Sequence, residues 1–159
     1  MSLFILVIYE KVQSVASAKP FRFVAINRRP FAGSTPFNAE EINLIINVDD
    51  DAEKRASFME ARGHEFGSFI DIFTQKFGLP PISDDGKTGG SIVLGWSMGS
   101  LFAAATVAHA PTLPVDVRSR IAQHVRALVV YGEPFGFYRP ENLTALFRSC
   151  ADHFWSSDS

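Results

Sequence analysis

At 159 residues, with 47% hydrophobic and 20% charged side chains, the chain has the size and balance of one globular domain with a sizeable core. A net charge of −2 leaves no electrostatic case for nucleic acid or an acidic membrane surface as a partner. The lone cysteine, Cys150, excludes an internal disulfide and reads as a buried structural thiol, and no apolar stretch is long enough to cross a bilayer.

Residues 3–17 (LFILVIYEKVQSVAS) open ambiguously. The first seven suit a buried strand, while Phe4, Val7, Ile8, Val12 and Val15 share one helical face, and the helix is favoured. A secretory leader is disfavoured, because no basic segment precedes the apolar run and Glu10 and Lys11 interrupt it. A cytoplasmic location is the expectation. Lys19-Pro20 breaks the pattern, and residues 21–27 (FRFVAIN) read as a buried strand, apolar on both faces as a parallel sheet requires. Residues 28–36 (RRPFAGSTP) form a loop. Asn38 followed by Glu41 is a capping box for a short helix through Ile46.

The aspartates around residue 50 read as a helix start in place of a metal site, because residues 52–77 are strongly helical. Phe66, Phe69, Ile70, Phe73 and Phe77 recur at three- and four-residue spacing and are expected to face the core. Gly63 and Gly67 are expected to let this helix pack close to the sheet. Gly78 and Pro80-Pro81 end it, and residues 83–90 form an exposed, turn-rich loop.

Ser91-Ile92-Val93-Leu94 is β-like, and an alanine-rich helix former runs up to Pro111. Between them stands Gly95-Trp96-Ser97-Met98-Gly99. Strand, turn and helix with serine at the apex is the context in which G-x-S-x-G marks a nucleophile elbow. Side chains at Gly95 and Gly99 are expected to collide with the neighbouring strand and helix. The serine hydroxyl would stand at a helix N-terminus, where the dipole favours a developing anion. A dinucleotide fingerprint would need glycine where Ser97 and Ser100 stand. A P-loop ending at residues 85–88 (DGKT) would need its first glycine at Pro81 and a strand before the motif, not after it.

Residues 111–114 break the chain again, residues 116–125 read as a short helix, and residues 126–131 (RALVVY) as another buried strand. Residues 132–136 lie at its C-terminal end. Pro140-Glu141 opens a last helix through Cys150, and residues 152–159 look frayed. Strands alternating with helices predict an α/β fold, a parallel sheet flanked by helices. Ligands of such folds bind beyond the C-terminal strand ends, where Ser97 and the segments 28–36 and 132–136 fall.

Three stretches carry a resemblance: VAINRRPFAGSTP at residues 24–36, GGSIVLGWSMG at 89–99, and the strand and loop at 126–137. Together they resemble the central part of the α/β-hydrolase superfamily, in particular fungal members with an AB hydrolase-1 domain. The resemblance spans about residues 4–138, and it implies one α/β-hydrolase domain over residues 1–159, a partial α/β-hydrolase fold cut short at both ends. It implies Ser97 as nucleophile, the Met98 backbone N–H as one arm of the oxyanion hole, and Trp96 in the substrate-binding acyl pocket. It implies no cofactor and no metal, and a small-molecule acyl substrate. Glu133 is the candidate acid, although Gly132-Glu133 departs from the family's usual placing of that residue.

The family also has a strand between those at residues 21–27 and 91–94, ending in a His-Gly loop that supplies the second oxyanion donor. Further strands downstream bear the acid and then the catalytic histidine. Neither is expected within these residues. Each backbone group left unpaired in the sheet would cost about 1–3 kcal/mol, so low stability or solubility is expected.

None of the four histidines suits the role of general base. His64 precedes the serine and reads as a solvated helix residue. His109 lies about 18 Å along the helix from Ser97. His124 sits at the opposite sheet edge, and His153 beside Asp152 has the right order but falls in the frayed tail. Two functions stay open: a serine hydrolase of ester or similar acyl bonds, and a non-catalytic remnant serving as a binding or interaction module. Ester turnover by this chain alone is expected to lie close to that of a Ser97→Ala control.

Overall fold

Two strands, β1 (Ser91–Trp96) and β2 (Val125–Tyr131), run parallel and form the sheet of the described chain. The computed structural model describes residues 3–31, 33–46 and 52–132. Its backbone divides into two units, Met1–Asp51 and Ala52–Ser159. The class is mixed α/β, helices with a small parallel sheet, as the alternating apolar runs predict.

In the first unit, α1 (Leu3–Ser17) resolves the opening ambiguity in favour of helix. Residues 22–28 carry no strand assignment, so the strand expected at 21–27 is corrected to irregular chain. Phe21, Val24 and Ile26 are exposed. β-Branched and aromatic residues stabilise a strand only through cross-strand packing and a ladder, and no partner strand stands beside them among the described residues. The capping box is present in both directions. Asn38 Oδ1 accepts from the Glu41 N–H at 2.8 Å, and Glu41 Oε2 accepts from the Asn38 N–H at 2.9 Å, opening α2 (Ala39–Ile46). Glu41 also takes a two-point ion pair from Arg29, whose guanidinium further donates to the carbonyls of Thr35 and Pro36. The loop at 28–36 is thereby tied to the helix that follows it.

In the second unit, α3 (Ala52–Phe77) ends at Gly78, which takes φ +55° while the Leu79 N–H returns to the Thr74 carbonyl. The expected aromatic stripe faces the core only in part: Phe66 stacks on buried Phe102 and Ile70 packs against the core. Arg62, Gly63, Gly67, Asp71 and Thr74 are buried, whereas Phe69 and Phe77 are exposed. The reason is α4 (Met98–Ala108). A Cβ on Gly63 would lie 2.4 Å from the Ala105 carbonyl oxygen, so two helix backbones touch where the small residues run. Gly63 and Gly67 thus admit the elbow helix, Leu113 and Ile121, not the sheet as expected. The flanking phenylalanines meet one another along the helix, Phe69 stacked on Phe73 and Phe73 tilted against Phe77.

A 3-10 turn (Ala110–Thr112) leads to α5 (Val115–His124) and so into β2. Ala110, Leu113 and Ile121 form the core here, with Ile70, Val117 and Val125 packed against them. Beside it, buried Asp71 accepts from Arg120 at 2.5 Å and from Gln75 at 2.8 Å, and Arg120 also donates to Asp116 at 2.7 Å. The helices expected at 52–77 and 116–125 and the strand at 126–131 therefore stand within a residue or so of their predicted bounds. The aspartates around residue 50 and the last helix from Pro140 to Cys150 lie outside the described residues.

Candidate active site

β1 ends at Trp96 and α4 begins at Met98, so Ser97 alone makes the turn between them. Its backbone takes φ 52°, ψ −127°, and among the described residues it is the only non-glycine with positive φ. A Cβ is crowded in this region, and a residue held there stores roughly 1–3 kcal/mol that its surroundings must offset. Three contacts do so. The Ser97 N–H donates to the Tyr131 carbonyl at 2.9 Å, which docks the turn on the last residue of β2. The Ser100 N–H donates to the Ser97 carbonyl at 2.9 Å and closes the first helical turn. The Ser100 hydroxyl, 2% exposed, donates to the Gly95 carbonyl at 3.0 Å from beneath.

Gly95 is required by space. A Cβ there would lie 2.6 Å from the Gly99 carbonyl oxygen and 2.7 Å from Ser100 Cα. Gly99 departs from expectation, because a Cβ on it meets nothing within 4 Å among the described residues. Serine at a helix N-cap ordinarily accepts from the second or third helical N–H, yet the Ser97 side chain makes no such bond. Its hydroxyl is therefore not spent on capping α4. Met98, exposed, is the first residue of that helix, so its N–H stands at the positive end of the dipole.

Trp96 and Tyr131 stand side by side in the parallel register, and both are exposed. Gly132 follows at φ +65°, and a Cβ there would lie 3.0 Å from the indole Cδ1 and Nε1, so a larger residue would push Trp96 aside. The segment 132–136 was expected at this edge, but Tyr131 and Ser100 were not expected to hold the turn. Pairing the two predicted strands end to end would have set Tyr131 opposite Leu94, whereas the observed register pairs it with Trp96.

The structure separates the described histidines from Ser97. His124 is buried, its Nδ1 2.8 Å from the Arg120 carbonyl. The Ser91 hydroxyl donates to the His124 carbonyl, which fixes His124 at the opposite sheet edge, about 20 Å down a six-residue strand. His109 caps the far end of α4, with its ring edge-on to His64 at 6.5 Å. His64 is not simply solvated as expected: its Nε2 lies 2.6 Å from the Thr112 hydroxyl. Glu133 and His153 lie outside the described residues. Among the described residues no group of three or more His, Cys, Asp or Glu side chains can hold a metal ion, and no helix is long and apolar enough to cross a membrane.

Models of known families, curated proteins and solved structures give no match to this chain. The functional reading therefore rests on the turn itself.

Proposed function

We propose that this chain is a serine hydrolase of the α/β-hydrolase fold, in which Ser97 attacks the carbonyl carbon of an ester or similar acyl bond. One observation carries the reading: a serine held at φ 52°, ψ −127° between a parallel strand and a helix, its hydroxyl not used as a cap. Strained backbone of this kind persists where it serves a site. In the reaction, the Ser97 oxygen adds to the carbonyl and the resulting oxyanion lies at the N-terminus of α4. There the Met98 N–H and the helix dipole favour negative charge. Collapse expels the alcohol, and water then releases the acyl group from the serine. Trp96 and Tyr131 give the approach to Ser97 an aromatic, uncharged wall suited to an apolar acyl group.

The proton of the serine hydroxyl needs an acceptor, and His64, His109 and His124 are misplaced for that role. Their placement favours the second reading, a non-catalytic binding module that keeps the elbow geometry. Incubation with a fluorophosphonate, read by intact mass and peptide mapping, separates the two. Covalent capture expels fluoride and needs a nucleophile, a base that takes the hydroxyl proton and oxyanion donors, but no deacylation step. A single adduct on Ser97, absent from Ser97→Ala, is expected. An unmodified chain would establish the binding module instead. Turnover of an activated ester at neutral pH should stay close to that of Ser97→Ala. Turnover lost in both Ser97→Ala and His153→Ala would identify His153 as the base.

A further inference from the structure

Gly132 follows the last residue of β2 and stands against both Trp96 and the Ser97 turn. Its backbone takes φ +65°. A Cβ on it would lie 3.0 Å from Cδ1 and Nε1 of the Trp96 indole and 3.9 Å from the Ser97 nitrogen. The bare α-carbon thus leaves open a position bounded by the indole on one side and the turn on the other. The backbone around that position is pinned. Trp96 is held opposite Tyr131 in the parallel register, and the Ser97 N–H is bonded to the Tyr131 carbonyl at 2.9 Å. A side chain at 132 would therefore be met by rotation of the indole, and either the new Cβ or the turned ring would fill the position.

The two sides of this position differ in chemistry. α4 begins at Met98, directly after Ser97, so the positive end of its dipole favours the oxygen atoms of an acyl head group. The indole opposite is broad, apolar and exposed. An aliphatic acyl chain matches that order, its head at the turn and its tail along the indole. We propose, resting on the reading of the Ser97 turn as an acyl site, that Gly132 sets the length of acyl chain accepted there. By carrying no side chain it seats the Trp96 indole and leaves room for a medium-length chain against it. Gly132 touches no reacting atom and acts through Trp96 as a positioning residue.

The test is equilibrium binding of butanoate, hexanoate and octanoate, straight-chain acids of the kind the proposed reaction releases. Binding is read by the emission of Trp96 in a Trp155→Phe chain, where Trp96 is the sole tryptophan. Each buried methylene raises affinity by up to about fourfold, so affinity should rise at least about tenfold from butanoate to octanoate. In Gly132→Ala that rise should fall below about threefold, because one extra carbon in an apolar site costs about tenfold or more. The emission of Trp96 without ligand should shift as well. Gly132→Asn brings the same Cβ on a residue that tolerates positive φ, so it should show the same loss without the backbone strain. An affinity that does not rise with chain length in the parent chain overturns the proposal. A rise that Gly132→Asn keeps overturns it, and so does an equal loss at every chain length. Binding needs no nucleophile, so Ser97→Ala should behave as the parent does. Octanoate binding without phosphonate capture at Ser97 would remove the hydrolysis and keep the role of Gly132. Capture at Ser97 with a chain-length dependence that Gly132→Asn leaves unchanged would keep the hydrolysis and overturn that role.

Discussion

The Ser97 N–H and the Tyr131 carbonyl, 2.9 Å apart, join the turn after one strand to the end of the next. That bond holds the elbow at a backbone conformation glycine would accept freely and serine does not. The strain has a measurable sign. Ser97→Gly should raise stability by about 1 kcal/mol in denaturant unfolding while abolishing covalent capture, since glycine relieves the positive φ. Ser97→Ala should abolish capture without that gain, because alanine keeps the Cβ. A less stable Ser97→Gly variant would show that the turn is not strained.

Beneath the turn, the Ser100 hydroxyl reaches the Gly95 carbonyl from a fully buried position. Ser100→Ala should cost about 1–2 kcal/mol, the penalty for removing one partner of a buried hydrogen bond. The same change should slow phosphonate capture at Ser97. An unchanged capture rate would mean that Ser100 supports the fold and not the elbow.

Gly63 lies against the backbone of α4, where a Cβ would come within 2.4 Å of the Ala105 carbonyl oxygen. A backbone atom cannot rotate aside as a side chain can. Gly63→Ala should therefore destabilise by about 1–3 kcal/mol through overpacking, although alanine is the better helix former by about 1 kcal/mol at an exposed site. Gly78→Ala meets no neighbour within 4 Å and tests positive φ alone. Thermal melts of both variants should show the larger loss at Gly63.

A hydrogen bond from Arg120 is the main cause that holds Asp116 below its ordinary value of 3.8. In Asp85 the bond from the Ser83 hydroxyl does the same. A carboxyl depressed in the folded chain binds fewer protons there than when unfolded. Its contribution is full above 3.8 and is lost as the pH falls through the lower folded value. Melts followed downward from about pH 6 should steepen below about pH 4, and Asp116→Asn should flatten that slope. Both carboxylates are open to water, so the effect is small and should shrink further in salt. A slope unchanged in Asp116→Asn would remove Asp116 from the acid response.

Local chemistry settled the elements of this chain. Asn38 and Glu41 cap α2, Gly78 stops α3, and β-branched Ile92 and Val93 lead into the Gly-x-Ser-x-Gly turn, each through contacts a few residues apart. The turn with Ser97 at its apex was legible for the same reason, since strand, glycine spacing and alanine-rich helix are all read within about twenty residues. What required long-range partners was not legible. Residues 21–27 have strand composition but no ladder among the described residues, and composition cannot supply a partner. The burial of Gly63 and Gly67 in place of Phe69 and Phe77 was decided by Ala105 and Leu113, some 40 residues away, because close helix contact selects the smallest side chains. Tertiary structure alone docked the Tyr131 carbonyl on the Ser97 N–H, whereas the distances of His109 and His124 from Ser97 already followed from where they fall on their own elements. Periodicity says which way a residue faces along its own element, and only packing says what stands opposite.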